Sequence, residues 1–408
     1  MSIVIFSGGR GNKNLLKTII QKESSNFNLD IIVNGLDDGA STGSIREIFD
    51  DKVHGISDFL KVALALSKND ELTNILEKRL PETKNYQENL LLLESINKFI
   101  SSSDDLFVFD KNDALKKYRE ELQSHFRNFL EYVFKKFGHF KDMGDFKVGN
   151  VVFASYLVTN SMDFQSSLIS FMKFLEVNLD RFKIHQSTFK NSYLVGLLKN
   201  GSLLPNEASV VLTRTSDYIL ETFQIPRPLS ASEIRTISSK ELEDKIDYLR
   251  EIEFIPETGE EVKSIITNCE AIVYGAGTPY SSLLPSLELK GIAEAIKSKN
   301  HPKILVANLV KETSNTLTVE DLVENILQYI CKSIGPDKKF LVSDFITHII
   351  IPDDLNKSEE NWIDADIQSI SSKYNSIKVV KGNIRTPNDS SKHDGEALLR
   401  IILDIIDG

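Results

Sequence analysis

Two short stretches carry the residue types that could do chemistry. Ser7-Gly8-Gly9-Arg10-Gly11-Asn12 lies directly after the apolar run Ile3–Phe6 and directly before the helical pattern Lys13–Ile20. This order reads as strand, glycine turn, helix. Glycine admits positive φ and lets an anion approach without meeting a Cβ, while the first amides of the helix and its positive dipole end face that anion. The second stretch, Asn34-Gly35-Leu36-Asp37-Asp38-Gly39-Ala40-Ser41-Thr42-Gly43, follows the strand-like Leu29–Val33. Paired carboxylates followed by hydroxyl side chains can hold a divalent cation or ribose hydroxyls. Each stretch also has a plain reading, as a tight βα turn and as a solvated acidic turn. The first is neither the dinucleotide fingerprint GxGxxG nor a Walker loop, because the third glycine spacing and the Lys-Ser/Thr pair are absent.

Further along, Glu270–Tyr274 is an apolar run that ends in Gly275-Ala276-Gly277-Thr278-Pro279, and a helical pattern continues from Ser281 to Lys297. This is a second strand, glycine turn, helix unit. In an open parallel sheet both turns stand at the carboxyl edge, where neighbouring loops form a crevice suited to a nucleotide. Close packing of strand on helix is the alternative reason for Gly275 and Gly277.

Taken in order, these segments resemble the YvcK/CofD superfamily. The family's GGTG-like turn is matched by Gly8-Gly9-Arg10-Gly11, and its DDGGSSG-like segment by Asp37-Asp38-Gly39-Ala40-Ser41-Thr42-Gly43. A GDIRN-like helix start corresponds to Ser57-Asp58-Phe59-Leu60-Lys61, and an HSxGN segment to Phe146-Lys147-Val148-Gly149-Asn150. The stretch Gly275 to Pro285 is similar to GPGSLYTSILP, Ala307-Asn308-Leu309 to CNL, and Lys392-His393-Asp394 to a basic-His-Asp signature. Arg10, Leu60, Lys61 and Phe146 stand where that family has Thr, Arg, Asn and His. The resemblance implies a three-layer, Rossmann-like α/β fold with a mostly parallel, doubly wound sheet.

It also implies a ligand: a nucleoside diphosphate-linked compound such as a UDP-sugar. Gly8, Gly9, Arg10, Gly11, Asn12, Ser41, Thr42, Lys61, Gly149, Asn150, Gly275, Gly277, Thr278, Ser281 and Asn308 become candidate contacts. The alternative is a CofD-like transferase that moves a phospho-lactyl-type group from a nucleoside diphosphate donor to an acceptor alcohol, releasing the nucleoside monophosphate. Asp37 and Asp38 would then hold Mg²⁺, which favours carboxylates together with ligand phosphates and water, and Asp58 is the next carboxylate expected beside them. Asp58 also suits a plain helix-start acid, and Asn150 a helix cap. Because Arg10 and Lys61 replace neutral family residues, a more anionic ligand than that of the relatives is expected. The whole reading requires the residues near positions 8, 37, 149 and 277 to converge on one anion-receptive mouth.

The 408 residues, with 41% hydrophobic and 26% charged content, suffice for a large core. A net charge of −11 argues against a surface that tracks nucleic-acid phosphates. Cys269 and Cys331 cannot form a disulfide framework or a thiolate cluster, and no run approaches the roughly 18 apolar residues of a membrane span. A cytoplasmic protein without a membrane partner is expected. The seven histidines offer no HExxH spacing, and no nucleophile triad can be assigned, so His393 alone is singled out.

The expected organisation is residues 1–68 as the first part of the nucleotide-binding domain, 69–144 as a helical insertion, and 145–408 as the remainder, with a β-hairpin patch at about 190–222. Phe126, Phe129, Leu130, Val133, Phe134 and Phe137 recur at helical spacing and form one apolar face, a packing face or otherwise a partner or homodimer surface. Turns are expected at Ser101–Asp105 and Asp110–Asp113, and a hairpin at Lys199-Asn200-Gly201. Val210–Thr213 and Tyr218–Glu221 read as further strands and Ile225–Ser239 as a surface loop. Strands are expected at Lys303–Leu309, near Phe340 and His348, and at Ile377–Val380, alternating with helices at Val319–Cys331 and Gly395–Ile406.

Overall fold

The structure, a computed structural model, describes residues 1–9, 11–22, 27–38, 40–102, 113–213, 217–311, 318–335, 339–354 and 362–408. Arg10, Gly39 and most of the turns expected at 101–105 and 110–113 lie outside the described residues. The chain divides into two compact units: Met1–Asp37 together with Asp180–Gly408, and Asp38–Leu179.

The first unit is built on a seven-stranded sheet. Its strands are β1 (Ser2–Ser7), β2 (Asn28–Val33), β3 (Phe182–Gln186), β7 (Ala271–Tyr274), β8 (Lys303–Val306), β9 (His348–Pro352) and β10 (Lys378–Gly382). They run in the order β10-β9-β8-β7-β1-β2-β3, every pair parallel. The unbroken apolar runs in β1 and β7 suit strands covered on both faces, and Ile3–Phe6 and Ala271–Tyr274 are fully buried. Strand order reverses between β1 and β7, because the chain builds outward to β3 on one side and to β10 on the other. Such a switch point opens a crevice at the carboxyl edge. A separate antiparallel sheet joins β4 (Tyr193–Leu198), β5 (Leu203–Leu204) and β6 (Ile219–Ile225), with the expected turn at Gly201 (φ +84°). A small hairpin, β11 (Arg385–Thr386) with β12 (Asp389–His393), precedes the last helix, Gly395–Asp407.

Several expectations are corrected. Val210–Thr213 is no strand but the end of helix Glu207–Leu212, started by the Asn206 side chain accepting from the Ser209 amide. The loop read at Ile225–Ser239 contains helix Ala231–Ser238, set by a capping box in which Ser230 and Glu233 bond reciprocally. The single helix from Ser281 to Lys297 is three pieces: a π turn Pro279–Leu283, helix Leu284–Leu287 and helix Ile292–Lys297. Gly291, at φ +91°, forces the break. The region near Phe340 forms a 3₁₀ turn, Val342–Asp344, rather than a strand, because the Asp344 carboxylate accepts from the Leu341 amide.

The second unit is helical: Ala40–Ile48, Ser57–Ala65, Asp70–Glu77, Tyr86–Ser101, Asp113–Phe137, Val148–Thr159 and Phe164–Phe174. Phe126, Phe129, Leu130 and Val133 are buried within it, as the packing face requires, while Phe134 is exposed beside Phe140. Among the described residues no helix is long and apolar enough to cross a membrane.

Candidate functional site

At the switch point the two glycine turns interlock. A Cβ on Gly11 would stand 2.0 Å from the Ala276 carbonyl oxygen, and one on Gly277 would stand 3.0 Å from that of Gly8. One on Gly8 would meet Ser282 Cβ at 2.0 Å, and one on Gly275 the Asn12 amide at 2.0 Å. These glycines are therefore needed for the turns to touch, which is the packing role the sequence left open. Asn12, 1% exposed, stands before helix Lys13–Gln21 and turns its side chain back, Nδ2 donating to Ser7 Oγ at 2.9 Å. Gly9 adopts φ +57°, a left-handed turn that glycine tolerates.

The ends of β2 and β8 clamp the second turn. Asn34 Nδ2, after β2, donates to the Ser281 carbonyl at 2.9 Å. Asn308, after β8, accepts from the Gly277 amide at 3.2 Å and donates to its carbonyl at 3.0 Å. Thr278 precedes the π turn, in which Ser281 is buried. Gly8, Gly11, Asn12, Gly275, Gly277, Ser281 and Asn308 thus meet on one edge of one unit, and Asp37 closes the loop after β2, half-buried. Asn34 and Ser7 were not singled out from sequence. Their signal is position: each polar residue ends or follows a buried strand.

Beside this edge, His393 on β12 directs Nε2 to the Ala307 carbonyl at 3.0 Å. Burial lowers its pKa to about 4, so the ring is a neutral donor that fastens the hairpin to the end of β8.

The second unit holds its own group of candidates. Ser41 and Thr42 lie in the first turn of helix Ala40–Ile48, which begins inside the stretch that includes the acidic turn. A Cβ on Gly43 would stand 2.4 Å from the Asp38 carbonyl oxygen, so that helix closes tightly on half-buried Asp38. Gly149 and Asn150 open helix Val148–Thr159; Gly149 faces the Leu76 carbonyl, and Asn150 Nδ2 donates to Ser41 Oγ at 3.1 Å. Asn150 therefore reaches across helices instead of capping its own. Asp58 and Lys61 form an ion pair at 2.8 Å, with side chains 11% and 25% exposed. The Lys61 charge is balanced by its neighbour, which weakens its share of the case for a more anionic ligand. Phe146, which takes the place of the His in the HSxGN pattern, is a core residue. Among the described residues no group of three or more His, Cys, Asp or Glu is placed to hold a metal ion.

A family model described as 2-phospho-L-lactate transferase CofD matches residues 3–384. The gluconeogenesis factor of Halalkalibacterium halodurans is 23% identical over 211 residues, which cover 51% of this chain and 55% of that protein. Its Bacillus subtilis counterpart is 25% identical over 163 residues, 38% of this chain and 48% of that one. The chain thus spans about half the length of these curated relatives. Two crystal structures from Bacillus halodurans, one described as a member of the UPF0052 family, align over 98% of both chains with TM-score 0.63 at 18% identity. They share the fold. Since the family model runs from β1 to the end of β10, through both glycine turns and the acidic pair, this chain belongs to the CofD family, within the YvcK/CofD superfamily.

Proposed function

We propose that this protein binds a nucleoside diphosphate-linked compound of the UDP-sugar type at the carboxyl edge of its parallel sheet. The observation that carries the reading is the pair of interlocked glycine turns at the β1/β7 switch point, held by Asn12, Asn34 and Asn308. Two amide-bearing turns in contact suit a ligand with two adjacent phosphates, and a switch point is where open α/β sheets take nucleotides. Gly9, Arg10, Asp37 and Thr278 are proposed as further contacts of this ligand, and Asp38, Asp58, Ser41, Thr42, Lys61, Gly149 and Asn150 as the candidate ligand contacts of the helical unit. Both described cysteines are free, which agrees with a reducing, cytoplasmic setting. Isothermal titration with UDP-, GDP-, CDP- and ADP-linked sugars tests the reading. Micromolar binding of at least one, weakened in Arg10→Ala, is expected; no binding of any at millimolar concentration would overturn it.

A second reading is favoured by the description of the matching family model, a transferase. Asp37 and Asp38 are adjacent and half-buried, a donor set that fits Mg²⁺ when ligand phosphates and water complete the octahedron. The ion would supply charge stabilisation at the diphosphate. On this reading the chain releases nucleoside monophosphate from a phospho-lactyl-type donor in an Mg²⁺-dependent manner. Asp38→Asn should abolish that release with unchanged circular dichroism, and an unchanged rate would remove the acidic pair from the chemistry.

A further inference from the structure

Arg385, on β11, is 7% exposed, and its guanidinium is only partly satisfied. Nε donates to Asp354 Oδ1 at 3.0 Å, and Nη1 donates to the carbonyls of Leu309 at 3.1 Å and Ser390 at 2.7 Å. Nη2 is buried with no acceptor among the described residues. The ring of Trp362 lies over the guanidinium, 3.6 Å from Cζ to ring centroid. A buried guanidinium nitrogen without an acceptor forfeits its hydration for nothing in return, and such groups are rare outside functional places. Position adds the second half of the argument. Leu309 follows Asn308, the residue that clamps Gly277, so the guanidinium is anchored on the residue next to that clamp. β8 neighbours β7 in the sheet, so this arginine lies on the β8–β9 side of the β1/β7 turns. Position 385 also falls just beyond the stretch that the family model matches.

We propose that Arg385 and Trp362 form an anion subsite, in which Nη2 receives a carboxylate or phosphate carried by the bound compound beyond its diphosphate. The inference rests on the proposed nucleotide site for its placement. Trp362 yields its place over the guanidinium as the anion enters, and Asp354 with the two carbonyls keeps the fork oriented. A planar, permanently charged fork suits such a group better than a lysine would.

Trp362 is the only tryptophan in the chain, so its emission reports on this subsite alone. Wild type and Arg385→Gln are titrated with inorganic pyrophosphate, UDP-glucose and UDP-glucuronate, by calorimetry and by fluorescence. In wild type, UDP-glucuronate should bind about tenfold or more tightly than UDP-glucose and shift the emission, as one added charge-assisted hydrogen bond implies. Arg385→Gln should erase the preference and the shift while keeping the affinity for UDP-glucose. Equal affinity of the two sugars in wild type, without an emission change, overturns the subsite and leaves the nucleotide site standing. If neither sugar binds but pyrophosphate shifts the emission of wild type and not of Arg385→Gln, the subsite stands and the nucleotide reading fails. If no titrant moves the emission, the subsite is refuted. The comparison in wild type decides the matter even if the variant does not fold.

Discussion

The contact between Gly275 and Asn12 allows a quantitative test of how the two turns are locked. In Gly275→Ala the new methyl would lie 2.0 Å from Asn12 Nδ2 and 2.6 Å from its Cγ and Oδ1. An ordinary contact needs about 3.5 Å, so the amide must retreat by more than about 1 Å. Asn12 is 1% exposed and bonded to Ser7 Oγ, so the retreat breaks a buried hydrogen bond, about 1–2 kcal/mol, and adds overpacking of about 1–3 kcal/mol. Gly275→Ala should therefore destabilise by roughly 2–5 kcal/mol. Asn12→Ala alone loses the bond and leaves a small void, about 1–3 kcal/mol. In the double variant the methyl meets no amide, so its added cost should vanish and the cycle should show a coupling as large as that cost, roughly 2–5 kcal/mol. Gly11→Ala is the control, because its methyl meets the Ala276 carbonyl oxygen at 2.0 Å and the carbonyl carbon at 2.4 Å. Backbone cannot be truncated away, so Asn12→Ala should not rescue it. Urea unfolding followed by far-UV circular dichroism measures wild type, the three single variants and the two double variants. Additivity of Gly275→Ala and Asn12→Ala within about 0.5 kcal/mol would refute the interlock.

Three further outcomes are expected. Asn308→Ala removes both bonds to Gly277 and should destabilise by about 1–3 kcal/mol, with faster hydrogen exchange at the Gly277 amide; unchanged exchange would show that the clamp is idle. Glu288 is fully buried among Lys332, Glu253 and Gln224, and burial pushes its carboxyl up to about 7. A raised acid favours the folded state while protonated, so its contribution is complete below pH 4.5 and is lost as pH rises through 7. Glu288→Gln should flatten that decline, by up to roughly 3 kcal/mol in urea titrations across the range. His393 is held neutral to about pH 4 and ordinarily titrates at 6.5, so it supports the fold above 6.5 and withdraws that support as pH falls toward 4. His393→Gln should remove close to one proton from the uptake on acid unfolding, and an identical pH slope would exclude the assignment.

Much of the sheet is legible in the sequence because buried parallel strands leave unbroken apolar runs, as Ile3–Phe6 and Ala271–Tyr274 do, each closed by glycine. The Asn200-Gly201 hairpin is legible for the same local reason. Helix Ala231–Ser238 was missed although Ser230 and Glu233 spell its start, because Pro226 and Pro228 just before it dominate a reading by composition. The break at Gly291 was hidden because the surrounding apolar residues keep helical spacing across it. At the site, glycine positions announced the turns but not their mutual contact, which depends on atoms more than 260 residues apart along the chain, such as Gly11 and Ala276. Arg385 gives no local signal at all. Its surroundings are assembled from Leu309, Asp354, Trp362 and Ser390, and only the folded chain brings these together.

The placement of the helical unit, between β2 and its partner β3, has a consequence for biogenesis. On the ribosome, β1 and β2 emerge before the helical unit, and β2 must wait for everything from Asp38 to Leu179 to be synthesised before β3 can cover its open side, while β1 waits longer still for β7. The intervening helices need only near neighbours in sequence and can condense meanwhile. Throughout that interval the nascent molecule carries an unpaired apolar ribbon, the feature that invites aggregation and chaperone capture. Slower translation through the helical unit is then expected to lengthen that exposure and lower the yield of native chains.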